Sequence, residues 1–435
     1  MRSKAIYLLL FLGILALAGC GSSARTALAP PLVFPTTATG PSGPPPLSIY
    51  VSAIGPQGGT VYALNAQSGG QRWHYQLKAN TGYPYLDSGV VYVGAADGKV
   101  YALDAGSGSP KWNHTIGGFP SIIGIMNGVI YAGTTRFTAT GRSPQPGAVY
   151  ALNASDGSIK WHSPVQGFVA DIDNDAIYLT TPDSKLDALN ISDGSLKWHF
   201  QEESPLSNIQ IANGQVYVIL SPSQGGGQHS VFYALSASDG SVQWRYPSGT
   251  GDTALGAFAV DSDTIYLEGN PATGLFVYTA NTVFAFSTKD GSQRWETALQ
   301  GSALDSAYLD SGTLYTSSGG GKVYALNTQD GSQLWQAQAG NGYPAIEAID
   351  NGQVYASSYG DGLYALSAKD GSVRWRYQSD AFVTVFTISN GVVYAASSGS
   401  QNPSEHSMIL SLNIANGSAL WHYDAGTASI TMNFG

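Results

Sequence analysis

One phrase recurs nine times along this chain, and it limits what the chain can become. In its plainest form it reads Val323-Tyr-Ala-Leu-Asn-Thr-Gln-Asp-Gly-Ser-Gln-Leu-Trp335. The copies end at Trp73, Trp112, Trp161, Trp198, Trp244, Trp295, Trp335, Trp375 and Trp421, which are all the tryptophans in the protein. A β-rich repeat of about 43 residues cannot bury its own apolar faces alone, so it predicts small sheets stacked or arranged radially. We number the units one to nine by their tryptophans.

Each unit reads as four short strands, A to D in chain order. In unit two the C strand is Val100-Tyr-Ala-Leu103, with alternate side chains on opposite faces. Asp104 follows, and Asn, Ser or Asp stands there in every unit; such side chains bond back to nearby amides and hold a reversal. The reversal carries a glycine in all copies, from Gly69 and Gly108 to Gly371 and Gly417, which fits a position needing positive φ. The D strand then delivers the tryptophan. Upstream lies a B strand such as Val90-Val-Tyr-Val-Gly94, and before it a small-residue A strand such as Tyr343-Pro-Ala-Ile-Glu-Ala-Ile349. Four-stranded antiparallel sheets repeated radially make a β-propeller. An indole that removes about 150–250 Å² from water at one point of every blade is a suitable wedge against the neighbour. All nine tryptophans are therefore expected to be structural blade-packing residues.

The two ends complete each other. Ser48-Ile-Tyr-Val-Ser52 reads as a B strand with no A before it, and Ala428-Ser-Ile-Thr-Met-Asn433 as an A strand with no B after it. The expected fold is an all-β propeller of nine four-stranded antiparallel blades over residues 47–435, closed by a blade split between the termini. An eight-bladed ring is the alternative, and it requires one unit to stand outside. Unit four, with Leu186-Asp187 where Val-Tyr is usual, is the least regular. Insertions fall between strands B and C, at Thr134–Gly147, Ser221–Ser230, Glu268–Asn281 and Ser397–Ser407. In this topology the B–C and D–A loops share one face. Growth confined there points to a binding face, with neutral loop drift as the rival account.

The amino terminus reads as targeting rather than fold. Arg2 and Lys4 precede an apolar run from Ala5 to Leu17, too short for an ordinary membrane span. Leu17-Ala18-Gly19-Cys20 resembles the bacterial lipoprotein processing motif. That resemblance implies a signal peptide over residues 1–19, lipidation of Cys20, and an extracytoplasmic, membrane-anchored protein of the outer membrane, periplasm or cell surface. Cys20 is the only cysteine, so the folded part has no disulfide or thiol chemistry. Residues 20–46, rich in Pro, Ser, Thr and Gly, predict an extended tether.

Chemistry-bearing residues are sparse. Only 11% of residues are charged, and the net charge of −10 comes without a basic run, which argues against nucleic acid as a partner. Asp171-Ile-Asp-Asn-Asp175 alternates carboxylates as a calcium loop does, but lacks that loop's length, central Gly and final Glu. It also occupies an A–B turn, where Asp and Asn are ordinary. His74, His162, His199 and His422 each follow a motif tryptophan on different units and cannot meet on one zinc ion. Asn113, Asn153, Asn190 and Asn416 match the glycosylation pattern, but the repeat already accounts for the last three. No catalytic, metal or cofactor-binding residue is expected.

Through Val-Tyr-Ala-Leu-Asp/Asn-x-x-x-Gly-x-x-x-Trp the repeats resemble the pyrroloquinoline-quinone-like β-propeller repeat family over residues 48–435. Some relatives are quinoprotein dehydrogenases, and the resemblance implies for those an axial quinone, calcium, a catalytic Asp and often a vicinal disulfide. A single cysteine rules that disulfide out here. Other relatives are non-enzymatic, including an eight-bladed lipoprotein subunit of the outer-membrane barrel-assembly machinery, which this chain resembles in its lipobox and tether. The expectation is a non-enzymatic, membrane-tethered scaffold with a monomeric ring, meeting a protein or peptide partner through the B–C/D–A loop face. The alternatives are a module sensing a small ligand or carbohydrate and, further off, a quinoprotein dehydrogenase.

Overall fold

Segments such as Val-Tyr-Val and Val-Tyr-Ala-Leu put apolar side chains on both faces of every B and C strand, so each sheet must be covered on two sides. The computed structural model describes residues 47–434 apart from 56, 138–143, 182, 203, 221–229, 248–252, 272–280, 302–303, 399–405 and 427–428. Cys20, the signal segment and the tether lie outside the described residues. So does part of the insertion Thr134–Gly147 and most of each of the other three.

Among the described residues the strands form seven four-stranded antiparallel sheets and one of seven strands. The fold is all-β and propeller-like. In unit one the hydrogen-bonded order is Gln71–Gln76 (D), Gly58–Asn65 (C), Ser48–Gly55 (B) and Ser429–Phe434 (A). Strands from both ends of the chain thus share a sheet, with Ile49 opposite Phe434 and Ile54 opposite Ser429.

The seven-stranded sheet spans units three and four. A single strand, Ile159–Ile172, pairs through Ile159–Gly167 with the C strand of unit three and through Phe168–Ile172 with the B strand of unit four. These units lie only 37 residues apart, the shortest spacing in the chain. The connection is too short to form a separate loop, so it runs extended from outer strand to inner strand.

The A strands form a chain of contacts. Tyr85–Asp87, Phe119–Met126, Ile159–Ile172, Leu206–Ala212, Thr253–Val260, Leu304–Asp310, Ala345–Asp350, Phe382–Ser389 and Ser429–Phe434 each approach the next, and the last approaches the first. The apolar clusters lie between units rather than within them. Tyr50, Val61, Ala63 and Trp73 of unit one meet Val91, Val93 and Leu103 of unit two. Tyr394, Ala396 and Ile409 of unit nine meet Ile49, Val51 and Leu64 of unit one. Each buried aliphatic side chain contributes about 1.5–3 kcal/mol, so cohesion resides in the seams.

The A–B turns follow from short polar residues that tolerate positive φ. Asn213-Gly214 and Asn351-Gly352 both carry φ > 0 at two successive positions, as two-residue hairpins require. In units four and six Asp173 and Asp261 take over. The Oδ1 atom of Asp173 accepts the amides of Asp175 (2.8 Å) and Ala176 (2.7 Å), and its Oδ2 accepts the Tyr178 hydroxyl (2.9 Å). Asp261 repeats this arrangement with Asp263, Thr264 and Tyr266.

Candidate interaction surface

The tryptophans make one contact nine times. Each indole Nε1 donates to a backbone carbonyl in the C–D turn of the following unit: Trp73 to Ala105 (2.9 Å), Trp112 to Ala154 (3.0 Å), Trp161 to Ile191 (3.1 Å), Trp198 to Ala237 (3.0 Å), Trp244 to Thr288 (2.9 Å), Trp295 to Thr328 (3.0 Å), Trp335 to Ala368 (2.9 Å) and Trp375 to Ile414 (2.8 Å). Trp421 of unit nine donates to Ala66 of unit one (2.9 Å). Six of these side chains are buried, while Trp112, Trp161 and Trp421 are half-buried.

The turn glycine has a second reason to be glycine. At Gly240, φ is +73°, and a Cβ would stand 2.7 Å from Cε3 of Trp198. At Gly69 it would stand 2.5 Å from Cε3 of Trp421. The indole of one unit therefore lies flat on the turn of the next, where any side chain would displace it.

A tyrosine on every B strand completes the joint, and the sequence reading did not single it out. Tyr50, Tyr92, Tyr131, Tyr178, Tyr217, Tyr266, Tyr315, Tyr355 and Tyr394 each place their ring 5.8–6.4 Å from the tryptophan of their own unit. Hydroxyls of Tyr50, Tyr92 and Tyr394 donate to the carbonyls that also receive the indole, at 3.1, 3.0 and 3.2 Å. Burial raises the pKa of these phenols, that of Tyr92 to about 12, so they remain donors across ordinary pH. The signal was available: Val-Tyr, Ile-Tyr or, in unit seven, Leu314-Tyr315 recurs one strand before each motif.

These joints occupy the face bearing the A–B and C–D turns. There the amide after the turn Asx or Ser bonds to the A–B turn of its own unit, as Ala105 does to Gly89 (3.0 Å), Ala237 to Gly214 (3.0 Å) and Ala368 to Gly352 (2.8 Å). The opposite face, with the B–C and D–A loops, differs from unit to unit. In unit two Thr81 bridges to Ala95 and Gly82 donates to Gly94 (2.9 Å). In unit eight Asp361 accepts the Asn341 amide (3.0 Å) and an Arg376 guanidinium nitrogen (2.9 Å). Tyr343 and Tyr359, on the two loops of unit eight, are 57% and 51% exposed.

No chemistry converges on either face among the described residues. None of their His, Cys, Asp and Glu side chains gather in groups of three or more able to hold a metal ion. Asp173 is committed to its turn, and Asp171 is buried on the strand before it. His74 and His162 lie exposed over Tyr62 and Tyr150, on the face of the D strand opposite the tryptophan. His199 stands opposite Asp187, which fills the place that tyrosine holds in six of the units, Phe284 in unit six and Leu410 in unit nine.

Solved structures share this architecture. The computationally designed protein Ika8 superposes with a TM-score of 0.52 at 13% identity, covering 73% of this chain and 93% of its own, a likeness of fold alone. BamB from Moraxella catarrhalis gives a TM-score of 0.44 at 17% identity, covering 74% of this chain and 94% of its own. The quinohemoprotein alcohol dehydrogenase from Comamonas testosteroni gives 0.44 at 15%, covering 74% and 72%. At those scores neither bears on what this chain does. No curated protein matches the chain. A family model described as outer membrane protein assembly factor BamB matches residues 29–122, 115–259, 227–347 and 339–433. With nearly the whole length matched, the chain belongs to that family and carries its PQQ-like β-propeller domain.

Proposed function

We propose that this protein is a non-enzymatic, membrane-tethered scaffold whose rigid ring meets a protein or peptide partner through its B–C/D–A loop face. The reading rests on the contrast between the faces. One is made alike in unit after unit by indole, glycine and turn bonds; the other varies, and variation on a rigid support is where specific recognition resides. A preorganised ring loses little freedom on binding, which favours affinity without a chemical step.

In this reading residues 47–435 are one domain, a closed nine-bladed propeller, and the nine tryptophans wedge its blades. The chain of A-strand contacts returning to its start supports closure, as does the Trp421–Ala66 bond. The divided pairing of Ile159–Ile172 supports counting the seven-stranded sheet as two blades. Residues 1–19 would be removed, Cys20 lipidated, and residues 20–46 left as the tether of a monomeric ring outside the cytoplasm. The family match supports an outer-membrane setting.

The test is site-specific photo-crosslinking in living cells. A crosslinker at Tyr359 should capture a discrete protein, while one at Gln329, in a C–D turn, should not. Equal capture from both, or none from either, sinks the face assignment. Cys20→Ser should release the protein from the membrane fraction. The two exposed tyrosines of unit eight keep a carbohydrate-sensing reading in play, which saturable sugar binding lost in Tyr343→Ala and Tyr359→Ala would favour.

A further inference from the structure

Asp171 is a buried acid at a joint between units. It lies on the inner part of Ile159–Ile172 and is 3% exposed. Its Oδ1 accepts the amide of Ile172 at 2.7 Å, and the Ile211 amide, on the A strand of unit five, also donates to this carboxyl. The side chain thus bridges units four and five, whose A strands touch there.

Among the described residues no Lys, Arg or His acts on this carboxyl, although the B strand of unit three, Val129–Phe137, which also touches Ile159–Ile172, carries Tyr131 and Arg136. The neighbouring A strands, Phe119–Met126 and Leu206–Ala212, contain no titratable residue, and the adjoining B strand, Ala176–Thr180, contributes only Tyr178. The turn beyond adds Asp173 and Asp175, both acidic. Tyr178 donates to Asp173 and stays neutral, its pKa raised by burial and by the three aspartates. A buried carboxylate with amide donors but no counter-charge is tolerable when protonated and costly when ionised.

We propose that Asp171 makes the seam between units four and five a pH-sensitive joint, close-fitting while the carboxyl is protonated and loosened when it ionises. Desolvation pushes its pKa up to about 7, with Asp173 adding in the same direction and the two amides opposing. Between the ordinary Asp value and about 7 the folded chain holds a proton that the unfolded chain has released. Stability therefore falls as pH rises across that window and levels above it. One proton difference lowers the folding equilibrium constant by up to ~10-fold per pH unit.

The experiment compares the full chain with Asp171→Asn by urea unfolding from pH 5 to 8, with hydrogen exchange followed by mass spectrometry at both extremes. The parent should lose stability relative to the variant as pH rises, by a factor of roughly 10–100 in the equilibrium constant. After correction for intrinsic exchange, the parent's peptides covering 206–212 should lose protection at the higher pH, and the variant's should not. If the Asn variant does not fold, Asp171→Ser provides the non-ionising comparison. Parallel stability curves would overturn the proposal. So would a pH-dependent loss of protection located in other seams.

Discussion

Replacing Gly240 by alanine while replacing Gly214 in parallel isolates what the indole seat contributes. Both glycines belong to unit five and both have φ of +73°, so alanine carries the same backbone strain at either position. That strain costs about 1–2 kcal/mol. At Gly214 nothing lies within 4 Å of the new methyl, so the cost should end there. At Gly240 the methyl would stand 2.7 Å from Cε3 and 2.8 Å from Cδ2 of Trp198. Carbon atoms settle at about 3.5–4.0 Å, so the ring must retreat by roughly 1 Å and forfeit a quarter to a half of its contact on that side. Overpacking of this kind costs about 1–3 kcal/mol. The bond from Trp198 Nε1 to Ala237, now 3.0 Å, would stretch or break, for a further ~0.5–1.5 kcal/mol. Gly240→Ala should therefore destabilise by about 3–6 kcal/mol and Gly214→Ala by about 1–2. Urea unfolding followed by far-ultraviolet circular dichroism at constant pH measures both, with equal m-values as the check that one transition is being compared. If the two variants agree within ~0.5 kcal/mol, the indole on the turn is a bystander and the joint is held by something else.

Other perturbations test separate parts of the structure. Trp335→Phe keeps a ring in the seam but removes the donor to Ala368, so it should cost about 1 kcal/mol, against about 3–5 for Trp335→Ala; equal losses would show that the ring itself contributes little. Deleting residues 426–435 removes the A strand of unit one and bares the edge of Ser48–Gly55, so the truncated chain should melt well below the parent. If it melts alongside the parent, the shared sheet is dispensable. Asp290 and Asp370 each accept the hydroxyl and amide of the serine two residues on, which lowers their pKa to about 2. Their contribution is present above the ordinary Asp value and is lost as pH falls towards about 2, so the double Asn variant should flatten the acid side of the stability curve. An unchanged acid limb would mean these turn bonds form equally in the unfolded chain.

Much of the fold was legible because repetition averages out local noise. A single Val-Tyr-Ala-Leu is an ambiguous segment, whereas nine copies in phase with nine tryptophans and nine glycines specify strand order, turn position and outer strand. The complementary ends were legible for the same reason, since each lacked what the other supplied. The partner of the glycine was not legible. A positive φ explains the residue completely within its own unit, and nothing local reveals that the indole stacked on it comes from the unit before. Tyr50 and its eight counterparts were visible as a pattern, but the sequence does not show that their rings pack on the tryptophan of their own unit, or that some of them, as Tyr50 does at Ala105, share its acceptor in the following unit. The uninterrupted strand Ile159–Ile172 was missed because Ser163-Pro164 and Gly167 look like loop residues, while the short unit spacing leaves no slack for a loop. The candidate surface was the least legible part. It lies in loops where units differ, so repetition says nothing about their shape, and most of the four insertions fall outside the described residues.

The tryptophan joint runs in one direction only: every unit offers an indole forwards and a glycine with its neighbouring carbonyl backwards. A gene segment encoding one whole unit therefore brings both halves of the connection with it. Duplicating or excising such a segment would leave each remaining indole facing a receptive turn, with only the splay between inner strands to readjust. Lineages of such proteins could change size in whole steps, each intermediate already competent to fold.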